Sequence, residues 1–197
     1  MCQVSDWERV IAFHGHVCVG LAVGYRASLA ALEVLGAEPA ADEELVAIVE
    51  NDACGVDALQ VLTGCTLGKG NLIFRDWGKR VYTVGSRKSG RAVRVLLKDL
   101  SWAVDEEFAD LRRRVFSGEG TPEEKQRLQE KQAAAAARIL GAPEEEVLTV
   151  QEVSIELPPK ARLFPSVTCA RCGERVMAPR ARRVAGEILC IPCSEGP

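Results

Sequence analysis

The chain has 197 residues, 25 Lys and Arg against 28 Asp and Glu, a net charge of -3 and 47% hydrophobic residues, which suits one medium domain with room for a small second one. A charged fraction of 27% and a mean hydropathy of zero exclude a disordered, collagen-like or membrane-embedded class. The weakly charged run from Val17 to Leu35 still carries Arg26 and Glu33 and is interrupted by Gly20 and Gly24, so it is not read as a membrane span.

The opening residues, Met1 to Glu8, lack a basic stretch followed by an apolar one, so no secretory signal is expected and the chain is read as cytoplasmic. From about Gly20 to Leu35 the residues are apolar nearly all round, predicting a buried helix stopped by Gly36. Leu45 to Val49 predicts a short buried strand. The polar turn Glu50-Asn51-Asp52-Ala53-Cys54-Gly55 follows, then a helix over Val56 to Thr63, then a glycine-rich loop over Gly64 to Asn71. Strands are predicted at Leu72 to Phe74, Arg80 to Val84 and Ala92 to Leu97, the last two joined by a hairpin loop over residues 85–90. A helix over residues 102–116 comes next. Thr121-Pro122-Glu123-Glu124 then supplies an N-cap, a Pro at the first helical position and a capping-box Glu. Gly141 and Pro143 end that helix, Leu128, Ala135 and Ile139 mark its apolar stripe, and Glu123 is expected to pair with Arg127. A final strand covers Val147 to Ile155. Because strands cluster instead of alternating with helices, the expected fold is an α+β core over residues 1–157. A proline-rich linker over 158–166 leads to a separate module over 167–197.

Eight cysteines and only two histidines are the chemically informative residues. In a reducing compartment they point to metal or redox chemistry more than to disulfides. Cys169-x2-Cys172-x17-Cys190-x2-Cys193 has the spacing of a four-cysteine zinc module, a ribbon resembling a treble clef. Two knuckles of two thiolates each close a tetrahedron, which is a structural site with no position left for substrate. Iron is the main rival metal. So short a segment has too little core to fold alone, so metal binding would supply its folding energy. Five arginines against three glutamates give residues 166–197 a charge of +2 and leave the rest at -5. With that small charge and no stacking aromatic, the module argues for a protein-facing or solvated surface over nucleic acid.

The remaining candidates lie in the first third. His14-Gly15-His16-Val17-Cys18 precedes the buried helix, so Cys18 is expected at the helix's positive end, where a thiolate is stabilised. Cys54 stands in the same relation to the next helix, and Cys65 follows it. Both histidines and three cysteines, with Glu50, Asp52 and Asp57, thus fall on turns at element ends. Each taken singly can fill space, cap a helix or satisfy a carbonyl. Together imidazole and thiolate suit zinc, iron or nickel, with a position left open. Gly64-x3-Gly68-Lys69-Gly70 fails the spacing of a phosphate-binding P-loop. Lys69 either presents a charge to an anionic ligand or lies in water. Cys2 has no partner nearby.

Three segments, Phe13-His14-Gly15-His16-Val17-Cys18-Val19-Gly20-Leu21, Glu50 to Gln60 and Thr63 to Leu72, continued by Asp76-Trp77-Gly78-Lys79-Arg80-Val81-Tyr82, resemble the E-subunit family of formylmethanofuran dehydrogenase. The terminal four-cysteine ribbon occurs in many of its members. The resemblance implies an α+β core with a C-terminal zinc finger, and a homodimer whose fingers exchange between protomers. It also implies a metal-binding groove, with His14, His16, Cys18, Cys54, Asp57 and Cys65 at the matching positions. Val19 departs from the Pro often found there. Members of that family accompany a molybdenum or tungsten enzyme whose redox chemistry is carried by its other subunits. The expected roles are therefore His14, His16, Cys54 and Asp57 in catalysis, and His16, Cys18, Cys54 and Cys65 as ligands of a second transition metal. The leading reading is a metal-binding accessory or catalytic protein. The alternatives are a ribbon acting as a binding or regulatory module on a dimerising core and, last, thiol redox chemistry by Cys54 and Cys65.

Overall fold

A computed structural model describes residues 4–196; Cys2 lies outside them. The chain forms two compact units, Met1–Lys160 and Ala161–Pro197. In the first, α1 (Asp6–His14), α2 (Val19–Leu35), β1 (Leu45–Val49), α3 (Gly55–Thr63), β2 (Leu72–Phe74), β3 (Val81–Ser86) and β4 (Ala92–Leu97) are followed by α4 (Glu106–Phe116), α5 (Pro122–Gly141), α6 (Glu144–Val147) and β5 (Leu148–Val153). The five strands form one sheet in the order β2-β1-β3-β4-β5. Only β1 and β2 run parallel; the other pairs are antiparallel. That mixture is the α+β arrangement expected. Among the described residues no helix is long and apolar enough to cross a membrane.

Helix α2 is the organising element. It is buried along most of its length because its residues are apolar or small, and it packs on α3, α5 and the central strands. Alternation sends Leu45, Ala47 and Val49 of β1, Tyr82 and Val84 of β3, and Val93 and Val95 of β4 into one core with Ala22, Ala27 and Ile139. On the sheet's other face the chain after β5 returns over Gly85, where a Cβ would meet Leu157 Cδ2 at 2.3 Å. Arg87 Nη1 donates to the Pro158 carbonyl at 2.6 Å. The start of the predicted linker is therefore held by the core.

Several boundaries differ from expectation for identifiable reasons. Helix α1 lies in a stretch for which no helix is expected. Ser5 and Glu8 form a reciprocal capping box at its start and Gly15 ends it in the left-handed region. His14 is thus its last residue and not part of a loop. The helix expected over 102–116 begins only at Glu106, because Asp105 accepts from Phe108 N and caps it there. Glu123 does not hold Arg127, whose Nε instead reaches Glu107 Oε1 of α4 at 3.1 Å. Arg26, half-buried on α2, caps the C-terminal end of α5. Its Nη1 donates to the carbonyls of Ile139 (2.8 Å), Leu140 (3.2 Å) and Ala142 (2.8 Å). These are acceptors a helix end leaves open. Arg26→Met, which keeps the stem and removes the donors, is expected to cost about 1–3 kcal/mol in urea unfolding.

Candidate metal centre

Three elements bring three ligand atoms together. The His14 ring, Cys18 Sγ and Cys54 Sγ each present an atom within 4.8 Å of the others. His14 comes from the end of α1, Cys18 caps α2 and Cys54 precedes α3. The tautomer of His14 follows from its partner. Nδ1 lies 2.7 Å from Asp57 Oδ2, and a carboxylate accepts, so Nδ1 carries the hydrogen. Nε2 therefore turns its lone pair toward Cys18 Sγ at 3.7 Å. Tetrahedral bonds of about 2.0 Å to nitrogen and 2.3 Å to sulfur put the two ligands roughly 3.6 Å apart. The spacing and the imidazole orientation both suit zinc or a similar ion, and the carboxylate–histidine contact is the usual support of such a ligand. Asp57 also accepts from Gln60 Nε2 at 3.4 Å. Beside the cluster lies a cavity of about 430 Å³ lined by His14, Asn51, Asp52, Cys54, Asp57 and Phe74 among others. It is large enough for a small ligand.

Other predicted residues take different places. His16 is exposed and its ring lies 4.5 Å from that of His14, tilted by 34°, outside the three-residue cluster. Cys65 is fully buried in the main apolar core, also outside it. Lys69 Nζ donates to the carbonyls of Ala40 (3.1 Å) and Ala41 (3.3 Å), so it clamps two loops and is absent from the cavity lining.

Cys18 does accept a helix N–H, from Leu21 at 3.3 Å. Burial nevertheless outweighs that help and pushes its thiol up from 9.0 to about 11. The expectation of a stabilised thiolate is thus overturned for the metal-free protein, and a bound cation would have to displace a proton. Burial also pushes up the Cys65 thiol and the Tyr82 phenol. Folding favours the neutral form of such groups, so their contribution to stability is complete below the unfolded value and lost as pH rises through the folded one. Metal-free protein is expected to lose urea resistance between pH 9 and about 11 on account of Cys18. An unchanged midpoint across that window would refute this.

The second unit carries the other four cysteines. Strands β6 (Ser166–Thr168) and β7 (Arg175–Met177) form one hairpin, and β8 (Arg182–Val184) and β9 (Glu187–Leu189) another. Helix α7 (Ile191–Glu195) closes the unit. The first hairpin turns at the Cys169–Cys172 knuckle, and β9 leads into the Cys190–Cys193 knuckle. Cys172 Sγ and Cys190 Sγ are 3.9 Å apart, against roughly 3.8 Å for two sulfurs on a tetrahedral zinc. Backbone N–H groups of Cys172 and Cys190 point at Cys169 and hold its thiol down at about 6. Neighbouring sulfurs push the Cys172 and Cys193 thiols up instead, so a cation held by all four would have to displace protons.

The family described as FmdE, molybdenum formylmethanofuran dehydrogenase operon, matches residues 13–149. The chain belongs to the FmdE family. Beyond its FmdE region, residues 162–196 match the prokaryotic dksA/traR C4-type zinc finger, so the chain is metal-binding through a structural zinc site. A probable S-adenosyl-L-methionine-binding protein of Archaeoglobus fulgidus is 36% identical over 193 residues, 94% of this chain. The chain spans about half the length of that relative, 51%. The crystal structure of a tungsten formylmethanofuran dehydrogenase FmdE-like protein from Syntrophus aciditrophicus shares the fold, with a TM-score of 0.57 and 23% identity. The match covers 95% of this chain and 89% of that one.

Three glycines in the FmdE-family core bring the ligands together, and none of them stands out as functional in the sequence. A Cβ on Gly24 would lie 2.3 Å from Gly55 Cα, and one on Gly20 would lie 3.2 Å from Cys54 Cβ. One on Gly55 would lie 2.4 Å from Tyr82 Oη. Helices α2 and α3 therefore cross nearly backbone to backbone, which seats Cys54 over the first turn of α2. The Gly20-x3-Gly24 spacing is the available signal, but the partner Gly55 is 31 residues away.

Proposed function

We propose that the core of this FmdE-family protein holds a second transition metal through His14, Cys18 and Cys54, and that the cavity beside it admits the substrate or partner group. The carrying observation is the gathering of these three ligand atoms, with Asp57 bonded to the far side of the His14 ring. A zinc, iron or nickel ion held there supplies Lewis acidity at the remaining position. Asp57 fixes the tautomer of His14 and is placed to exchange a proton at Nδ1. Asn51 and Asp52 offer polar groups at the cavity wall. The role is that of an accessory or metal-dependent catalytic protein. Membership of the FmdE family supports a homodimer acting beside a molybdenum or tungsten enzyme.

Metal analysis of purified protein tests this reading. Two metal equivalents per chain are expected. Cys18→Ser should remove one and leave the zinc-finger equivalent, whereas Asp57→Asn should weaken the core site about 10–100-fold. A single equivalent that disappears when the terminal cysteines are replaced would sink the core site.

A further inference from the structure

The loop between β2 and β3 carries a feature the metal centre does not use. Trp77 is 54% exposed, and two cations lie against its ring: Arg75 Cζ at 5.3 Å and Lys79 Nζ at 5.5 Å from the centroid. Neither cation takes part in any of the ion pairs among the described residues. Contact with an indole face orients a cation without neutralising it. A guanidinium resting on a ring keeps its in-plane N–H groups free to donate in pairs to a carboxylate or phosphate. With Arg80 and Asp76 they give residues 75–80 a charge of +2 within residues 1–160 of net charge -6, a local reversal of sign.

The backbone fixes this loop to the cavity wall. Arg75 N donates to Val49 O at 2.9 Å, Trp77 N to Arg75 O at 2.8 Å and Lys79 N to Glu50 O at 3.0 Å. Asn51 Nδ2 donates to Lys79 O at 2.7 Å. Val49 and Asn51 both line the cavity, as does Phe74, the residue before Arg75. Phe74 and Leu67 leave exposed apolar surface on that lining, 47% and 73% of each residue. Inside the cavity the carboxylates of Asp52 and Asp57 repel an anion, so anionic recognition belongs at the loop and not beside His14.

We infer that the Arg75–Lys79 loop is the anion-recognition element of this cavity. It takes the carboxylate or phosphate of an organic ligand whose apolar body lies on Phe74 and Leu67 and whose other end faces Cys54. The inference rests on the cavity being the substrate site.

The 197-residue protein carrying Trp7→Phe and Trp102→Phe keeps Trp77 as its one indole and reports binding by fluorescence. Phenyl phosphate and benzoate are the probes at low salt, with neutral benzyl alcohol as the control. A saturable change is expected with at least one anion and none with benzyl alcohol; the anion that responds identifies the group recognised. Adding Arg75→Gln and Lys79→Gln should weaken binding at least about tenfold, the loss of charge-assisted hydrogen bonds, with an unchanged circular dichroism spectrum. No saturable response to either anion, an equal response to benzyl alcohol, or undiminished binding by the double-Gln protein would overturn the inference. Protein that takes up no core metal yet keeps the anion response would overturn the metal reading alone.

Discussion

Replacing Cys190 with Ser is expected to release the C-terminal zinc and unfold the second unit while the first stays folded. Among the described residues the unit's buried apolar set is Cys169, Leu189 and Cys190, with Val176 and Cys193 partly buried against them. Its strands are three residues long. That core is far too small to offset the conformational entropy of ordering so many residues. Structural zinc supplies about 10–16 kcal/mol in comparable small modules, and removing one of four thiolates forfeits most of it. Metal analysis should show one equivalent lost, and hydrogen exchange should show amide protection lost over residues 166–195. The buried set of the first unit is separate, so its protection should remain. A mutant that keeps its protected second unit after losing zinc would contradict this account.

Gly24→Ala is expected to destabilise the first unit and to empty the proposed core metal site together. Alanine in place of a mid-helix glycine normally gains about 1 kcal/mol in helix propensity. Here the added methyl meets the Gly55 backbone at 2.3 Å, and backbone of a packed helix cannot swing aside as a side chain can. Overpacking of this kind costs roughly 1–3 kcal/mol and at times more. That corresponds to a fall in Tm of several degrees, at about 2–4 °C per kcal/mol for a chain of this size. Pushing α3 away also carries Cys54 from Cys18 and His14. Gly141→Ala is the control, since a Cβ there meets nothing within 4 Å; it should be neutral or stabilising. Equal melting of the Gly24→Ala and Gly141→Ala proteins would show that the crossing tolerates separation.

The zinc site and the proposed core site differ in how far they can be read from sequence. In the C-terminal unit all four ligands lie on two x2 knuckles, and each knuckle builds its own geometry locally. Spacing alone therefore implies the closed site. In the core, His14, Cys18 and Cys54 come from three elements. Pooling both histidines with three cysteines names a region and does not resolve which atoms meet. His16 shares a five-residue stretch with Cys18, yet Gly15 in the left-handed region turns the chain at the end of α1 and leaves His16 outside the cluster. Cys65 follows α3 directly, but its place is in the main core. Lys69 looks like a free charge in the sequence because the carbonyls it binds, at Ala40 and Ala41, are 29 and 28 residues away.

By itself, then, the sequence determined the α+β class, the C-terminal four-cysteine zinc cluster and the centres of α2 to α5 and β1 to β5. These follow from composition, periodicity and short spacings, all of which act over a few residues. Only the tertiary structure decided which three of the five core candidates converge, how Asp57 orients His14 and that burial pushes the Cys18 thiol up. It also decided where the Arg75–Lys79 cations sit. The reason is physical: ligand geometry and thiol desolvation depend on the close crossing of α2 and α3, and that crossing is set by Gly24 and Gly55, residues that carry no chemistry of their own.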